Sequence, residues 1–307
     1  SETNNLNLVP PCCPYGGASP AIVFWLSNNP GATSSCSGGT SIGDTHLTNF
    51  NGLYYDFQAA GDFLLAETNP GFAVETRQKS GAPTWPNASV NKAVAMTLGK
   101  TRAAVCLDPT RLIVDGKQKD LLDGTSLTLP SGVRIARGGN TYLFTRPSGE
   151  SVSAEVNSAW INVSVSLDHL PQAKVYGLLG NANGDMAEDD LATRRRMVLK
   201  QPLMFDELYH SYADSWRVAP RESLLSILCG DGNLEDNFPD KPFYAENLDP
   251  KVYERARAIC TQAGVRDDTL LDACTLDTAV LGETAARVYV RAHPPRAEVR
   301  VSAERRQ

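Results

Sequence analysis

The amino-acid sequence predicts a mainly β protein, in which an antiparallel β-sandwich is followed by a small C-terminal α-helical subdomain. Three observations carry this prediction. Between about residues 43 and 218, short segments rich in β-branched and aromatic residues alternate with turn signals. After Pro220 the apolar residues recur at helical spacing instead. The length of 307 residues suffices for one large domain or two smaller ones, each with its own core.

Eight segments of the first region have the length and composition of strands. Turns such as Asp115-Gly116 separate them, and this regular spacing favours an antiparallel sandwich or barrel-like sheet over strand–helix–strand units. In the last segment, residues 160–166, strict alternation places apolar side chains on one face and the polar Asn162 and Ser164 on the other. The segments are 63–67, 72–77, 93–98, 103–107, 111–115, 141–145, 151–156 and 160–166.

The C-terminal region carries helix start and stop signals. Asp249 followed by Pro250 is an N-cap acid before a proline at the first helical position, and Gly264 ends the element. A second helix is predicted from 267–268 to a break near 282, and a third helical piece over 283–292.

Seven cysteines, an odd number, suggest disulfides formed in an oxidising compartment, with scattered buried thiols as the alternative. Cys260 and Cys274 fall on neighbouring predicted helices, so we expect a disulfide between them. None of the cysteines forms C-x-x-C or has a histidine at zinc-ligand spacing, so they do not predict a zinc site.

These patterns divide the chain into four parts. Residues 1–40 are a Pro-, Gly- and Ser-rich lead-in that we expect to be irregular and pinned by disulfides, with a short strand over 22–26. Residues 41–220 form the predicted β domain, 221–292 the helical module and 293–307 a polar, extended tail.

Charge and hydropathy exclude several classes of partner. The net charge of −6 gives no support for binding nucleic acid or an anionic membrane surface. No apolar run approaches the roughly 18–20 residues that a membrane-spanning helix needs. The polar opening Ser-Glu-Thr-Asn-Asn has no signal-peptide character, which suits a mature secreted protein, a cytosolic protein or an excised fragment.

The stretch 175–191 concentrates oxygen-bearing side chains around glycines. Asn and Asp at this density suit Ca²⁺, which takes six to eight oxygen ligands, while Gly184 lets a short loop fold back on an ion. The spacing differs from that of an EF-hand. A solvated Asn/Gly/Asp turn is the alternative. The side chains concerned are Asn181, Asn183, Asp185, Glu188, Asp189 and Asp190.

Three motifs resemble those of the von Willebrand factor type D domain family. GDTHLTNFNGLYYDF at 43–57, followed by GDFLL at 61–65, resembles the opening of such domains. VYGLLGNANGDMAEDDL at 175–191 resembles their G-L-C-G-N loop, and YADSWRV at 212–218 their closing segment. The motifs stand in the family's order over about 175 residues. Residues 229–290 resemble, less closely, the cysteine-bearing helical module that commonly follows such domains.

This resemblance implies an extracellular β-sandwich with one structural Ca²⁺. In the family the ligands come from the acid of the opening motif and from Asn and Asp positions of the loop. Asn51 stands where that acid is expected, and a main-chain carbonyl near Asp185 would complete the shell. The predicted metal ligands are therefore Asn51, Asn181, Asn183, Asp185, Asp189 and Asp190, with Glu188 as a rival to Asp189.

Three departures from the family's pattern have consequences. Asn51 supplies an amide oxygen instead of a carboxylate, which removes one formal charge from the site and lowers its expected affinity. Leu179 replaces a cysteine, so a disulfide common in animal members is absent and the motif is more similar to microbial members. Thr45 replaces the proline of the opening motif, so the backbone cleavage that some members undergo there is not expected.

We found no motif for catalysis. His46 lacks partners at readable spacing and is predicted to be a packed or hydrogen-bonded core histidine. Asp44, Asp56 and Asp62 could supply a carboxylate pair, but scattered acids are routine on β-rich surfaces.

The sequence as a whole predicts a non-enzymatic, calcium-stabilised structural or adhesion module, secreted or on an extracellular surface, that assembles with other protein subunits. The alternatives are a secreted glycan- or lipid-binding adhesin and, with less support, a secreted hydrolase that uses the acidic loop.

Overall fold

The computed structural model describes residues 36–69, 71–81, 83–168, 174–185, 191–231 and 237–302. Among these, nine strands form one sheet and seven form a second. The first sheet has the order β10-β11-β12-β13-β14-β1-β2-β3-β16, and the second β15-β4-β5-β6-β7-β8-β9. All strand pairs are antiparallel except that between β16 and β3. The predicted antiparallel β-sandwich is therefore confirmed.

The strands are short and follow one another closely along the chain. Their bounds are β1 Cys36–Ile42, β2 His46–Thr48, β3 Leu53–Asp56, β4 Gly61–Thr68, β5 Phe72–Gly81, β6 Trp85–Leu98, β7 Thr101–Cys106, β8 Arg111–Val114, β9 Lys117–Lys119, β10 Ser126–Thr128, β11 Arg134–Gly138, β12 Thr141–Thr145, β13 Ser151–Val156, β14 Ile161–Asp168, β15 Val175–Tyr176 and β16 Ala297–Val299.

All eight predicted strand segments overlap observed strands, and β12 and β13 match residue for residue. Several of the strands that the sequence did not predict lack an apolar pattern; β9, for example, is Lys-Gln-Lys and wholly exposed. The prediction of an irregular lead-in up to residue 40 is wrong for 36–40, because β1 pairs there with both β14 and β2. Residues 1–35, including the predicted strand over 22–26, lie outside the described part of the chain.

The main core lies between the two sheets and contains aromatic rings in contact. The ring of Phe57 packs edge-on against Phe63, with 5.0 Å between ring centroids, and edge-on against Tyr212 at 6.2 Å. Apolar side chains of β14 face this core, as the alternation predicts. Asn162 and Ser164, on the other face of the strand, are also buried and are each only 6% exposed. Asn162 donates to Glu155 and accepts from the Gly43 amide.

Helices cover the outer faces of both sheets. A π-helical turn, Glu207–Tyr212, runs into α1, Ala213–Trp216. Helix α2, Leu224–Cys229, packs on the outer face of β6 and β7, where Cys106 and Cys229 form a disulfide. The remaining elements are a 3₁₀ turn Ala245–Asn247, α3 Pro250–Ala263, α4 Asp268–Leu281, a 3₁₀ turn Glu283–Ala285 and α5 Ala286–Arg291.

The residues predicted to begin and end the first C-terminal helix do so in the structure. The carboxylate of Asp249 accepts hydrogen bonds from the first-turn amides of α3, and Gly264 ends that helix with a φ of 104°. Such a left-handed residue favours glycine, which has no Cβ to clash. The predicted Cys260–Cys274 disulfide is present and joins α3 to α4. No helix among the described residues is long and apolar enough to cross a bilayer.

Helices α3 to α5 pack against the first sheet through a second cluster of apolar side chains that includes Ile42 of β1 and Tyr54 of β3. The tail then adds β16 to the edge of that sheet, parallel to β3. The helical elements thus contact the part of the sandwich that carries the opening motif. The division of the chain into domains stays a prediction.

Candidate functional site

Asn51 occupies a tight turn between β2 and β3. The side-chain oxygen of Asn49 accepts hydrogen bonds from the amides of Asn51 at 3.0 Å and Leu53 at 2.9 Å. Gly52 closes the turn with a φ of 89°, a conformation that suits a residue without a side chain. These bonds hold Asn51, which is only 4% exposed, at the end of the strand pair.

The loop that follows β15 is anchored to the second sheet before it reaches its polar residues. The amides of Leu178 and Leu179 donate to the carbonyls of Leu64 and Leu65 at 3.1 and 3.0 Å. The buried hydroxyl of Tyr55 donates to the Leu178 carbonyl at 2.6 Å. The origin of the loop is therefore fixed by backbone and side-chain bonds of both sheets.

Alternating left-handed residues then wind the loop back on itself. Gly180, Ala182 and Gly184 have φ values of 81°, 56° and 84°. The side-chain oxygen of Asn181 accepts from the amide of Asn183 at 3.1 Å, and that of Asn183 accepts from the amide of Asp185 at 2.8 Å. Asn side chains favour such local bonds, which is why this residue type recurs in turns.

The turn and the loop meet at the side chain of Asn51. Its Nδ2 lies 3.2 Å from Oδ1 of Asn181, 3.2 Å from Oδ1 of Asn183 and 3.3 Å from the main-chain oxygen of Asp185. Its Oδ1 accepts from the Gly184 amide at 2.8 Å. Four of the six predicted ligands therefore lie together, whereas Asp189 and Asp190, with Glu188, fall outside the described residues.

The donor chemistry of this cluster fits a hard cation, because three oxygens from separate residues surround one point. The group that fills that point is the amide nitrogen of Asn51. A half-turn of the amide about its Cβ–Cγ bond would exchange nitrogen for oxygen and make Asn51 a fourth oxygen ligand, with loss of the hydrogen bond from the Gly184 amide. The residues that would hold calcium are thus Asn51, Asn181, Asn183 and the carbonyl of Asp185.

A second polar cluster lies in the interior, between the opening motif and helix α4. Nδ1 of His46 donates to Oδ1 of Asp56 at 2.6 Å, and the hydroxyl of Tyr54 lies 2.7 Å from the same nitrogen. Nε2 of His46 lies 2.8 Å from Oδ1 of Asp277 and also contacts Oδ1 of Asp44. The predicted core histidine is therefore found, with hydrogen-bond partners that local spacing did not show.

The hydroxyl of Tyr289, on α5, donates to Oδ2 of Asp277. Asp277 also accepts from the Asp44 amide at 3.1 Å. Asp44, His46 and Asp277 are at most 1% exposed. These three residues are thus shielded from water, whereas the Asp56 side chain at the edge of the cluster is 12% exposed.

Burial and mutual repulsion govern the ionisation of this cluster. Burial, and then the negative charge of Asp277, raise the pKa of Asp44 well above its ordinary value. Burial alone would lower the pKa of His46, but the carboxylates of Asp277, Asp44 and Asp56 outweigh it and raise that pKa well above its ordinary value. Burial opposes ionisation of Asp277 too, yet the imidazolium holds its pKa below the ordinary value. The cluster therefore retains protons that its members would lose in water.

Asp62 does not join this cluster, although the sequence grouped it with Asp44 and Asp56. It forms a two-pronged ion pair with Arg77, with N–O distances of 2.8 and 3.0 Å. Both side chains are nearly buried, and the hydroxyl of Ser223 donates to the same carboxylate. Asp62 thus links β4 to β5 and to the start of α2.

Sequence reasoning missed Asp277 and Tyr289, because they follow the opening motif by at least 220 residues and lie on otherwise ordinary helices. A signal does exist for Asp277: it lies within residues 273–278 of α4, a mostly apolar or small-residue stretch that is buried on every side of the helix. A buried acid normally requires a partner.

Comparison of the sequence with known protein families identifies the family of this chain. The sequence model of the von Willebrand factor type D domain matches residues 39–197, which is more than half of the chain. The chain belongs to the von Willebrand factor type D domain family. The match includes both the turn of Asn51 and the Gly177–Asp185 loop, but ends before the helices that carry Asp277 and Tyr289.

Two curated relatives extend this comparison. Hemocytin of Bombyx mori is 27% identical over 183 residues, which are 58% of this chain and 5% of hemocytin. Sushi domain-containing protein 2 of Homo sapiens is 23% identical over 282 residues, which are 84% of this chain and 33% of that protein. The chain spans only a minor part of either relative. Type D domains serve in general in extracellular protein assembly or adhesion.

One position shows how this type D domain departs from the family's opening motif. Thr45, which replaces the motif's proline, has a φ of 56°, and its hydroxyl donates to the Ser89 carbonyl at 2.8 Å. A proline ring fixes φ near −65° and cannot adopt this backbone. The turn between β1 and β2 is therefore built for a residue other than proline.

Proposed function

We propose that this chain is a non-catalytic, calcium-stabilised module of extracellular protein assembly or adhesion, whose partners are other protein subunits. The observation that carries the proposal is the convergence of Asn181, Asn183 and the Asp185 carbonyl on the side chain of Asn51. Family membership supports the extracellular setting, and the two disulfides suit an oxidising compartment.

In this proposal the cation links two parts of the chain that the fold brings close. Asn51 belongs to a turn of the first sheet, and the loop leaves from β15 of the second. A calcium ion held between them would fix the loop against the sandwich and prevent its acids from repelling one another. The surface around the loop would then be rigid enough to dock a partner without a large entropic cost.

Thermal unfolding with and without calcium tests the proposal. A ligand that binds only the folded state at a hundredfold excess over its Kd adds about 2.7 kcal/mol of stability. We expect calcium to raise the Tm of the wild type by several degrees and Asn183→Ala to abolish the shift. Asp185→Asn, which keeps the main-chain carbonyl, is expected to retain a smaller shift. Equal Tm values for the wild type in calcium and in EGTA would contradict the proposed calcium stabilisation.

The assembly component needs a separate measurement. Light scattering coupled to size-exclusion chromatography, in calcium and in EGTA, reports self-association directly. We expect calcium to favour a larger species if the partner is a second copy of this chain. Pull-down from extracellular fluid with the wild type and Asn183→Ala as matched baits then tests for a different subunit. Identical capture by both baits would mean that the ordered loop has no part in partner binding.

A glycan ligand is the second candidate, and one cavity favours it. This cavity of about 290 Å³ beside the loop is lined by the aromatic Tyr176 and Trp216 together with polar side chains that include Thr193 and Arg196. Aromatic side chains beside hydrogen-bonding groups are typical of ligand pockets, and here the guanidinium groups of Arg194 and Arg196 lie over the rings of Trp216 and Tyr176. Glycan-array binding by the wild type that Arg196→Ala loses would support this function. If neither the wild type nor Arg196→Ala binds any glycan on the array, the glycan-binding function is excluded.

The interior cluster offers no comparable support for a hydrolase. Its titratable groups converge, but a substrate has no access to them. The small cavity against His46 and Asp56 has a volume of only about 20 Å³. This suffices for about one water molecule and not for a scissile bond with its flanking groups.

A further inference from the structure

We propose that Asp44, His46 and Asp277 form a buried binding site for a divalent transition-metal ion, best suited to Zn²⁺, which clamps helix α4 onto the sandwich. This site is separate from the calcium loop and does not depend on it. One ligand atom from each residue lies within 4.8 Å of the others, and all three side chains are buried.

The first support is the orientation of the imidazole. Nδ1 of His46 lies 2.6 Å from Oδ1 of Asp56, a carboxylate that can keep a proton on that nitrogen. Nε2, on the other side of the ring, faces the carboxylate oxygens of Asp44 and Asp277. Without an ion, a proton on Nε2 supplies the positive charge between the ring and these oxygens, and a metal ion would displace that proton.

The second support is the carboxylate of Asp44. It is wholly buried, and neither of its oxygens receives a hydrogen bond from the described residues. The contact of Oδ1 with Nε2 of His46 lacks hydrogen-bond geometry, and Nε2 has at most one proton for two acceptors. A buried carboxyl group normally has its oxygens satisfied by hydrogen bonds, and those of Asp44 are not.

The third support is the set of outer contacts. Ligating histidines typically donate their other ring nitrogen to a carboxylate, and ligating carboxylates are themselves hydrogen-bonded. Both features are present, since Asp56 accepts from His46 and the hydroxyl of Tyr289 donates to the distal oxygen of Asp277. These contacts would orient the ligands before any ion enters.

The donor set selects the type of ion. One imidazole nitrogen with two carboxylate oxygens suits Zn²⁺, and Mn²⁺ or Fe²⁺ less well, whereas Ca²⁺ prefers oxygen ligands in larger number. Asp277 comes from α4 and the other two ligands from the opening motif, so the ion would join the two regions.

Zinc titration of the full chain tests the site. We would strip the protein with dipicolinate, add Zn²⁺ in competition with a chromophoric chelator, and determine bound metal by mass spectrometry. The wild type is expected to bind one equivalent, and Asp277→Asn at least about tenfold more weakly. Asp272→Asn, on the same helix but outside the cluster, is the matched control and is expected to bind like the wild type. Asn51→Ala is expected to lose the calcium response and keep the zinc.

A second readout does not depend on how well Asp277→Asn folds. Co²⁺ added to the stripped wild type should produce the visible absorption of a protein-bound ion in a low-symmetry site, and Asp44→Asn should weaken it. Asp44 receives no hydrogen bond from the described residues, so this change replaces one of its two candidate ligand oxygens by an amide nitrogen without breaking such a bond. A folded wild type that binds neither Zn²⁺ nor Co²⁺, or variants that bind as tightly as the wild type, would overturn the proposal.

Discussion

Oδ1 of Asp277 lies 2.8 Å from Nε2 of His46, although 231 residues separate the two in the chain. The first residue belongs to helix α4 and the second to strand β2. Their contact ties the helices to the opening motif of the type D domain through buried charge as well as apolar packing. Such a link has consequences for stability, because a buried charge that loses its partner cannot be solvated.

Asp277→Ala is expected to lower the free energy of unfolding by about 3–5 kcal/mol, the usual cost of breaking a buried ion pair from one side. Urea denaturation gives this value, and hydrogen exchange shows whether α3 to α5 lose protection first. Glu283→Ala, an exposed acid on the turn after α4, is the control and should have no measurable effect. Equal unfolding midpoints for the two variants would contradict a structural role for the His46–Asp277 contact.

Asn51→Asp is expected to change stability in opposite directions with and without calcium. In the absence of the ion, a carboxylate facing the oxygens of Asn181 and Asn183 replaces a donor by a repulsive charge and lowers the Tm. With calcium the added charge should raise affinity about tenfold or more, which calorimetric titration measures. Asn87→Asp, whose side-chain oxygen can still accept from the Asp240 amide, serves as the control. A variant with unchanged affinity and unchanged Tm would exclude Asn51 as a ligand.

Glu75 should make stability fall as pH rises through the weakly acidic range. Burial raises the pKa of this carboxyl from 4.5 to about 7, against the opposing hydrogen bond from the Leu224 amide. Between these values the folded state binds more protons than the unfolded state, so the free energy of unfolding decreases with pH, by up to about 3 kcal/mol. Above the folded pKa the loss is complete.

Glu75→Gln keeps the acceptor for Leu224 and removes the ionisable group. Relative to the wild type, it should be more stable at about pH 8 and similar at about pH 4, as measured by urea unfolding at several pH values. Because other buried groups also titrate, the quantity to follow is the difference between the two proteins. Glu222→Gln, at an exposed site, controls for charge alone. A wild-type-minus-variant difference that stays constant with pH would be incompatible with the raised pKa.

The Cys106–Cys229 and Cys260–Cys274 disulfides should differ in the free energy of unfolding that is lost when each is removed. Cys106–Cys229 closes a loop with a sequence separation of 123, and Cys260–Cys274 one of 14. Loop-closure entropy in the unfolded chain then predicts losses of about 5 and about 3 kcal/mol. Paired Cys→Ala variants of each bridge, compared by thermal unfolding, measure the order. A larger loss for the shorter loop would show that strain or packing, and not chain entropy, dominates.

The sequence alone determined the elements that local physics specifies. Period-two alternation with β-branched residues identified β12 and β13 to the residue, since these strands face a core on one side. The Asp249 cap and the Gly264 stop fixed helix α3, because the groups that satisfy helix ends lie within a few positions of them. The oxygen-rich loop could likewise be recognised from sequence, because its Asn side chains accept hydrogen bonds from nearby loop amides and its Gly residues adopt positive φ values.

Only the tertiary structure decided the rest. Strands such as β1 and β9 carry no apolar pattern and exist because neighbouring strands accept their backbone hydrogen bonds. The pairings of Cys106 with Cys229 and of His46 with Asp277 join residues far apart in the chain, and spacing contains no information on such distances. Local sequence fixes dihedral angles and end groups, whereas long-range contacts depend on how whole sheets and helices pack. The contacts between the buried charged residues of this protein are long-range contacts of this kind.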